Sequence, residues 1–496
     1  MIRAEWTKFR TVPGWVAGVS AAVLVVVLLG VLAALGSSQS CMAGTVEVVC
    51  PRLPTGPDGE AVLDNFTFVH QALDGDGEIT ARVSGMTGTI TYPPPGHDQI
   101  VPGLVPWAKA GIMVKAGTDP GSAYASMLLT GHHGVRMQSD FTHDVAAPGF
   151  SGEVWLRLTR TGDKVTGYAS GDGAGWRKID TVELAGLPHT VQIGLFATSP
   201  SDISQAANPL GGTMVQARFT QAVADFSQVS PAAGWTYQDV GDDGGRTDWE
   251  KTHPPGFTES AGVLTVTGSG DIAPLGQPGG GMSIENTLIG LFGALLLVIV
   301  VAVLFMTAES RRGLIRTTLL AEPARGRVLA AKAVVIGGVA FAAGLVAAGV
   351  TIPLAGHLLG TRHVYLLPVP WWTELRVMTG AAALLSLAAV FAYAMGALFR
   401  RGLLAVAAAV VLLVVPRLLA VSSVLPDGVT LWLTRVTPAA AFAVLQSIPA
   451  YPQVFFPYTP ADGYYPLAPW AGLGVLLLYA AAALGLAVLR FRRADA

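Results

Sequence analysis

Six long runs of apolar residues constrain this chain more than any other feature of its sequence. They lie near residues 15–36, 286–307, 331–354, 377–399, 403–424 and 467–489. A bilayer needs roughly 20 apolar residues in a helix that rises 1.5 Å per residue, so each run is long enough to cross one. Half of all residues are apolar (51%) and only 13% are charged. The sequence therefore predicts an α-helical membrane protein with six transmembrane helices.

The first run has two interpretations, a retained anchor and a cleaved signal peptide. Its apolar stretch from Val16 to Leu35 exceeds the 7–15 residues usual for a signal peptide. We therefore predict a retained anchor.

Basic residues near the ends of the runs predict the orientation, because cytoplasmic loops collect Lys and Arg. With six spans, the basic clusters fall on one side: Arg3, Lys8 and Arg10; Arg311, Arg312, Arg316, Arg325, Arg327 and Lys332; Arg400 and Arg401; Arg490, Arg492 and Arg493. Both termini are thus predicted to be cytoplasmic. Heavy use of Ala, Gly, Val and Leu is typical of a GC-rich bacterial genome, so the predicted location is the bacterial cytoplasmic membrane, as a multi-pass protein.

Residues 37–285 form one long insertion outside the membrane, with a composition rich in Gly, Asp, Thr and Pro. In EVWLRLTRTG, Val154, Leu156 and Leu158 share one face, which is the period-2 pattern of a half-buried strand. A second alternating run follows a turn at residues 161–163, so residues 153–173 are predicted to form a hairpin. Similar alternation occurs in EITARVSG, AGIMVKAG, AYASMLLTG, GVRMQSDF, VQIGLFATS and MVQARFTQA. The pattern favours an all-β sandwich that is jelly-roll-like in its many short strands. A β-barrel is the alternative, which the sequence does not exclude.

The two cysteines, Cys41 and Cys50, follow the first run on the outer side, where thiols are usually oxidised. We expect one intramolecular disulfide, contributing about 2–3 kcal/mol by closing a short loop; the alternative is two unpaired thiols. Alkylation of denatured, unreduced protein, followed by mass measurement, checks this. We expect no modified cysteine, and ready alkylation would contradict the prediction.

The first residues predict a helix at the cytoplasmic interface. Ile2, Trp6 and Phe9 follow i, i+4, i+7 spacing, while charged residues such as Glu5 occupy the other faces. The alternative is a plain charged flank that only sets orientation.

The cytoplasmic loop of residues 308–330 carries much of the basic charge. Pro323 disfavours helix for the residue before it, which predicts a short helix over 310–321. Its candidate docking residues are Arg311, Arg312, Leu314, Ile315, Leu319, Arg325 and Arg327. The three apolar members lie on one side with arginines around them, as in a segment that docks into a groove of a partner. The alternative is a basic loop that fixes topology and contacts anionic lipid.

Residues 425–466 are too interrupted by proline to span and too apolar for an ordinary loop. They predict short re-entrant or interfacial helices on the outer side, with aromatic residues at the interface. Arg417 lies inside the fifth run, and we favour extension of its side chain to the outer interface over a buried functional charge. TGSGD and GQPGGGMS predict a flexible collar before the second span.

The membrane part resembles an ABC transporter permease of the type-2 export family. The similarity rests on MIRAEWTKFRT, AESRRGLIRTTLLAEPARGRVLAAK, TPAAAFAVLQSIPAY and the final RFRRADA. It implies that the 308–330 loop meets a separate ABC ATPase subunit and that a second permease copy or paralogue completes the pathway. The chain contains no GxxxxGK[ST] phosphate loop, so ATP is expected in the partner subunit and no cofactor in this chain.

The outer insertion resembles a concanavalin-A-like lectin or glucanase sandwich through NFTFVHQALDGDGEITARV, WAKAGIMVKAG, WLRLTRTGDKVTGYASGDGAGW and VQIGLFATS. Trp107, Trp155 and Trp176 are candidates for stacking on a sugar, with core or rim positions as the alternative. No E-x-D-x-x-E run is present for glycoside hydrolysis. DGDGE at 74–78 lacks the Glu that an EF-hand needs and predicts a turn, so no metal site is expected.

The predicted divisions are residues 1–13 (interfacial helix), 14–36 (transmembrane helix 1), 37–285 (outer sandwich), 286–307 (transmembrane helix 2), 308–330 (coupling loop), 331–424 (transmembrane helices 3–5), 425–466 (outer re-entrant helices), 467–490 (transmembrane helix 6) and 491–496 (cytoplasmic tail). The expected function is an ABC export permease subunit that is not itself an enzyme, with membrane lipids and an ATPase as partners and no nucleic acid. An ATPase-linked signalling or force-transmitting component and a membrane-anchored carbohydrate-binding protein are the alternatives. The sequence does not name the transported molecule.

Overall fold

A computed structural model describes most of the chain. The described residues are 1–38, 41–43, 46–48, 53–91, 99–150, 152–207, 213–241, 248–276, 281–311, 325–399, 401–422, 424–454, 456 and 458–493.

The apolar runs form helices. The helices of the described residues, including those outside the runs, are α1 (Ile2–Thr11), α2 (Pro13–Gly36), α3 (Asp248–Thr252), α4 (Leu291–Arg311), α5 (Arg325–Thr361), α6 (Trp371–Phe399), α7 (Gly402–Leu413), α8 (Val415–Val421), α9 (Asp427–Val436) and α10 (Pro469–Arg493). Among the described residues, six segments are long and apolar enough to cross a membrane: Pro13–Gly36, Leu291–Ala308, Gly326–Thr361, Trp371–Phe399, Gly402–Val421 and Pro469–Phe491. They match the six predicted runs.

Helix α6 lies at the centre of the helical region, where it packs against α5, α4 and α10. A 3₁₀ segment, Pro438–Leu445, follows α9 at a bend of 95° and packs on α10. Gly472 makes this contact possible, because a Cβ there would lie 2.0 Å from the carbonyl oxygen of Ala440. Pro416 follows the break between α7 and α8, as expected of a residue that disrupts helical hydrogen bonding.

The insertion folds into a β-sandwich. Its strands, together with two short ones before it, are β1 (Cys41–Ala43), β2 (Val46–Val48), β3 (Val62–Asp64), β4 (Phe66–Asp74), β5 (Gly77–Thr91), β6 (Ile100–Pro102), β7 (Lys109–Lys115), β8 (Tyr124–Thr130), β9 (Val135–Ser139), β10 (His143–Ala147), β11 (Val154–Thr161), β12 (Lys164–Ser170), β13 (Arg177–Glu183), β14 (Thr190–Thr198), β15 (Asp202–Ala207), β16 (Thr213–Arg218), β17 (Thr220–Ser230), β18 (Thr236–Val240), β19 (Gly256–Ser260), β20 (Val263–Gly268) and β21 (Ile272–Pro274).

Two antiparallel sheets face each other. Their strand orders are β10-β9-β8-β7-β14-β4-β18 and β13-β12-β11-β5-β17-β20-β19. The predicted hairpin is confirmed, since β11 and β12 pair from Trp155↔Ser170 to Thr161↔Lys164. Val154, Leu156 and Leu158 are fully buried between the sheets, as their alternation predicts. The 74–78 turn connects β4 in one sheet with β5 in the other.

A two-stranded ribbon closes the sandwich at the point where the chain enters and leaves it. Strands β3 and β21 pair with each other, antiparallel, from Val62↔Pro274 to Asp64↔Ile272. Two lysines of β7 hold the ribbon: Lys115 Nζ lies 2.7 Å from Asp64, and Lys109 Nζ lies 2.7 Å from Asp271. The expected flexible collar is therefore wrong at TGSGD, which lies within β20 and in the connection that carries Asp271; residues 277–280 of GQPGGGMS lie outside the described residues.

Candidate functional site

Helix α1 is fastened to the helical region by a buried ion pair. Lys332 Nζ of α5 lies 2.7 Å from Glu5 Oε2, and the two residues are 2% and 4% exposed. Lys8 Nζ lies 2.9 Å from the other carboxylate oxygen of Glu5. Although desolvation opposes it, bonding to the two lysines lowers the pKa of Glu5. The sequence placed Glu5 on another face than Ile2, Trp6 and Phe9 and counted Lys332 among the basic residues that predict orientation, and it did not predict that the two form a buried pair.

The apolar face of α1 divides between two environments. Phe9 is 3% exposed and packs edge-on against Phe305, with ring centroids 5.7 Å apart. Ile2 and Trp6 are about half exposed, which leaves them free to contact a bilayer. The interfacial helix is therefore observed as a helix, with Phe9 as its anchor in the helical core.

The predicted docking loop lies mostly outside the described residues. Arg312, Leu314, Ile315 and Leu319 belong to the undescribed 312–324 segment. Arg311 is the last residue of α4 and Arg325 the first of α5, so these helices lead into and out of the segment. Arg327 is exposed and lies five residues before the buried Lys332. Docking by this loop remains a prediction.

Side chains of the helical region contact the sandwich. Gln453 Nε2 donates to the carbonyl oxygens of Phe141 and Thr142, at 3.2 Å each. The Tyr464 hydroxyl donates to the carbonyl oxygen of Gly276, beyond the β3–β21 ribbon. Burial raises the pKa of Tyr464 above its usual range, so the hydroxyl stays a donor.

Residues 365–367, which follow α5, form backbone hydrogen bonds with Met282, which follows the last strand of the sandwich. Met282 N donates to Tyr365 O at 2.8 Å, and Leu367 N donates to Met282 O at 2.9 Å. Helix α5 therefore connects the loop of residues 312–324 at one end with the base of the sandwich at the other.

Glu60 lies where the sandwich meets residues 447–451 and 367–370 of the helical region. Both of its carboxylate oxygens are buried without a hydrogen-bond partner among the described residues. Burial, with smaller contributions from Asp58 and Asp140, raises the pKa of Glu60 to about 7. The protonated form therefore fits this contact better than the carboxylate.

We expect the contact to loosen as pH rises. A carboxyl group with a raised pKa in the folded state contributes stability below its unfolded pKa, and that contribution is lost as pH rises through the folded value, here from about 4.5 to about 7. Hydrogen exchange of residues 447–451 measures this as faster exchange at pH 8.0 than at pH 5.5, after correction for intrinsic rates. Glu60→Gln should remove the difference; an equal pH response in this variant would exclude Glu60 as its cause.

A cavity of about 690 Å³ lies at the end of the helical region nearest the sandwich. Its apolar wall includes Leu288, Ile289, Phe292, Leu418, Val421 and Phe442. Its polar lining is formed by Glu285, Asn286, Arg417, Gln446, Asp462 and Tyr465. Cavities of this size with a few placed polar groups are typical of small-molecule sites.

Arg417 extends into the wall of this cavity. Its Nη1 donates to the hydroxyl of Tyr465, and its guanidinium carbon lies 3.8 Å from the centroid of the Phe442 ring. Sequence reasoning favoured extension to the outer interface. The structure places the guanidinium against Phe442 and Tyr465, which both belong to the 425–466 segment predicted to lie on the outer side, and the extension to the interface stays a prediction.

Glu285 lies in the 3₁₀ turn Ile284–Leu288 that precedes α4. Its Oε1 accepts from the backbone N of Ser447 at 3.3 Å, while its Oε2 is buried without a hydrogen-bond partner among the described residues. Burial raises the pKa of Glu285 above its usual value. Sequence reasoning missed this residue, because Glu285 ends the predicted insertion and no local pattern distinguishes it.

The three candidate tryptophans do not form one site. Trp107 is 5% exposed and stacks on His133, with centroids 4.0 Å apart, so it belongs to the core alternative. Trp155 and Trp176 are half-buried on the outer face of the β11 sheet, where the Arg157 guanidinium lies 4.1 Å from the Trp176 ring centroid. Only these two tryptophans remain candidates for stacking on a ligand.

The remaining predicted features concern cysteines and metals. Cys50 lies outside the described residues, as does the side chain of Cys41, whose backbone pairs with Val48. In the described part of the chain, no group of three or more His, Cys, Asp or Glu side chains is placed to hold a metal ion.

Comparison with known proteins identifies no family. No protein-family model and no curated protein matches the chain. Solved structures similar to part of it include SCP-B, an eqolisin-family peptidase in a complex with a tripeptide (10% identity, 42% of this chain, 99% of that chain, TM-score 0.25). Another is a functionally unknown protein from Saccharomyces cerevisiae (14% identity, 34% of this chain, 72% of that chain, TM-score 0.16). A third is a mutant of the GH43 protein BlXynB from Bacillus licheniformis (16% identity, 28% of this chain, 26% of that chain, TM-score 0.17). Such TM-scores assign no function.

Proposed function

We propose that this chain is the membrane-spanning permease subunit of an ABC exporter whose ATP is bound and hydrolysed by a separate subunit. The observation that carries the proposal is the fastening of α1 to α5 through Glu5 and Lys332, beside the segment that the sequence predicts to dock. Because separating two buried, paired charges is costly, we expect α1 and the start of α5 to move together. A partner that binds the 312–324 segment can therefore displace both.

The length of α5 supports the proposal. Its 37 residues extend about 55 Å at 1.5 Å per residue, and the segment that follows it is bonded to Met282. A displacement at the loop can thus reach the base of the sandwich and the cavity lined by Glu285 and Arg417. The 3₁₀ segment Pro438–Leu445, the second half of the bent pair with α9, lines the same cavity through Phe442 and Leu445.

The cavity also favours transport over the alternative of an ATPase-linked component that only transmits force. Force transmission needs no site of this volume, whereas a permease needs a place for what it moves. Cells lacking the protein should accumulate the exported molecule, and unchanged cell contents would favour force transmission.

The proposed topology has a direct test in intact cells. Tags at residues 1 and 496 should resist reagents applied outside, because basic clusters hold both termini in the cytoplasm. A tag inserted within residues 208–212, between β15 and β16, should be labelled. Permeabilised cells are the control, in which all three tags should react. Labelling of both termini from outside would overturn the topology.

A further inference from the structure

Two residues of opposite charge line the cavity without pairing with each other. Among the residues that the structure describes, no carboxylate lies within 4 Å of the nitrogens of Arg417, and no cationic nitrogen lies within 4 Å of the carboxylate of Glu285. An unpaired charge is costly where water is scarce. The cavity therefore offers one site for a cationic group and a separate site for an anionic group.

Neighbouring elements hold the two charges apart. The Tyr465 hydroxyl and the Phe442 ring hold the guanidinium of Arg417, and Ser447 N donates to one oxygen of Glu285. The second oxygen of Glu285, Oε2, is buried and has no hydrogen-bond partner among the described residues. A ligand that carries an ammonium group and an anionic group can satisfy both residues at once.

The apolar part of the cavity wall indicates the chemistry of the rest of the ligand, beyond its two charged groups. Leu288, Ile289, Leu418 and Val421 give the cavity an apolar side. Ile289 is 61% and Leu418 51% exposed, so this side opens on the surface that faces hydrocarbon if the helices span a bilayer. A hydrocarbon chain entering there would lie along the apolar wall while its polar head reaches Glu285 and Arg417.

We propose that the cavity binds a zwitterionic amphiphile, with its ammonium group at Glu285, its anionic group at Arg417 and its hydrocarbon chain along the apolar wall. This inference rests on the proposed function, because the inference names the class of molecule that such a permease would carry. A two-chain bilayer phospholipid with an ethanolamine head and a single-chain amphiphile supplied from solution share this chemistry.

Binding is measured with the purified full-length chain in phosphatidylglycerol nanodiscs, without ATP and without an ATPase. The probes are radiolabelled phosphatidylethanolamine and lysophosphatidylethanolamine, in competition with phosphatidylglycerol and diacylglycerol. We expect the ethanolamine head to bind at least about tenfold more tightly than the glycerol head on the same chains. Preference for the two-chain probe indicates a bilayer lipid as the source, and equal or better binding of the single-chain probe indicates a dissolved amphiphile.

Two variants separate the charges. Glu285→Gln should lower affinity for the ethanolamine head about tenfold and leave the glycerol head unchanged, while Glu285→Asp keeps most of the preference. Arg417→Gln should weaken both heads, since both carry a phosphate. Glu374→Gln and Arg435→Gln, which lie outside the cavity wall, are the matched controls and should bind like the wild type.

The inference fails if diacylglycerol competes as well as the zwitterion, or if Glu285→Gln and Arg417→Gln bind like the wild type. Either result would leave the proposed function standing, because association with an ATPase is measured separately and should be unchanged in both variants. Conversely, absence of an ATPase partner would refute the proposed function as an ABC permease subunit, and the binding data would still stand.

Discussion

Replacing Lys115 by methionine is expected to lower the free energy of unfolding of the sandwich by about 3–5 kcal/mol. Lys115 Nζ lies 2.7 Å from Asp64 Oδ2, and both side chains are fully buried. Lys115 also donates to the carbonyl oxygen of Ser122 at 3.0 Å, and Gly121 N donates to Asp64 at 2.7 Å. Removing the ammonium group leaves a carboxylate in the interior without its counter-charge, so the β3–β21 ribbon loses one of its two lysine attachments, while Lys109 still contacts Asp271.

Hydrogen exchange in the full-length chain under increasing urea measures this change in peptides from β7 and β14. Lys164→Met is the matched control, since Lys164 is exposed on β12 and its replacement should change stability by less than about 0.5 kcal/mol. The double variant Lys115→Met with Asp64→Leu should recover part of the loss, because no unpaired charge remains. A single variant as stable as the control would show that the pair does not hold the ribbon.

Local patterns predicted the elements of this fold. Alternation in EVWLRLTRTG placed Val154, Leu156 and Leu158 on a buried face, and the lengths of the six apolar runs placed the helices. The same reasoning could not predict the burial of Lys109 and Lys115. Their partners lie 162 and 51 residues away along the chain, and nothing in AGIMVKAG distinguishes a lysine that will be covered from one in solvent.

Partners distant in sequence also explain what was missed at the two ends of the helical region. Glu5 and Lys332 are 327 residues apart, so neither helical spacing nor charge counting could predict that they pair. The contacts of Arg417 with Tyr465 and Phe442 could not be predicted either, because these two residues could not be placed beside it from the sequence. Long-range contacts, which the sequence does not contain as a pattern, define the candidate site.

Replacing Ile315 and Leu319 together by aspartate is expected to abolish association with the ATPase. Both residues lie on one side of the helix predicted for 310–321, and docking would bury them. Buried aspartates would lose their solvation without gaining partners, which disfavours the complex strongly. The sandwich should still reach the outside at normal abundance, because the arginines that set orientation remain. Pull-down of the tagged chain, with surface labelling at 208–212, measures both properties.

The matched control places two aspartates on the opposite side of the same predicted helix. Gly313→Asp with Thr317→Asp adds the same charge at the same spacing, and we expect it to retain the ATPase. If both double variants lose the partner, added charge rather than a docking face is the cause. If Ile315→Asp with Leu319→Asp retains it fully, the docking role is wrong and the arginines of this loop have only a topological role.

Purification of the unmodified complex tests the central claim most directly. The tagged wild-type chain, solubilised gently from its own membranes, should co-purify with one ATPase chain per permease copy. That chain should contain a GxxxxGK[ST] phosphate loop, and the complex should hydrolyse ATP. Recovery of the folded chain, in its native membrane lipids, without any nucleotide-binding subunit would contradict the assignment of this protein as an ABC permease.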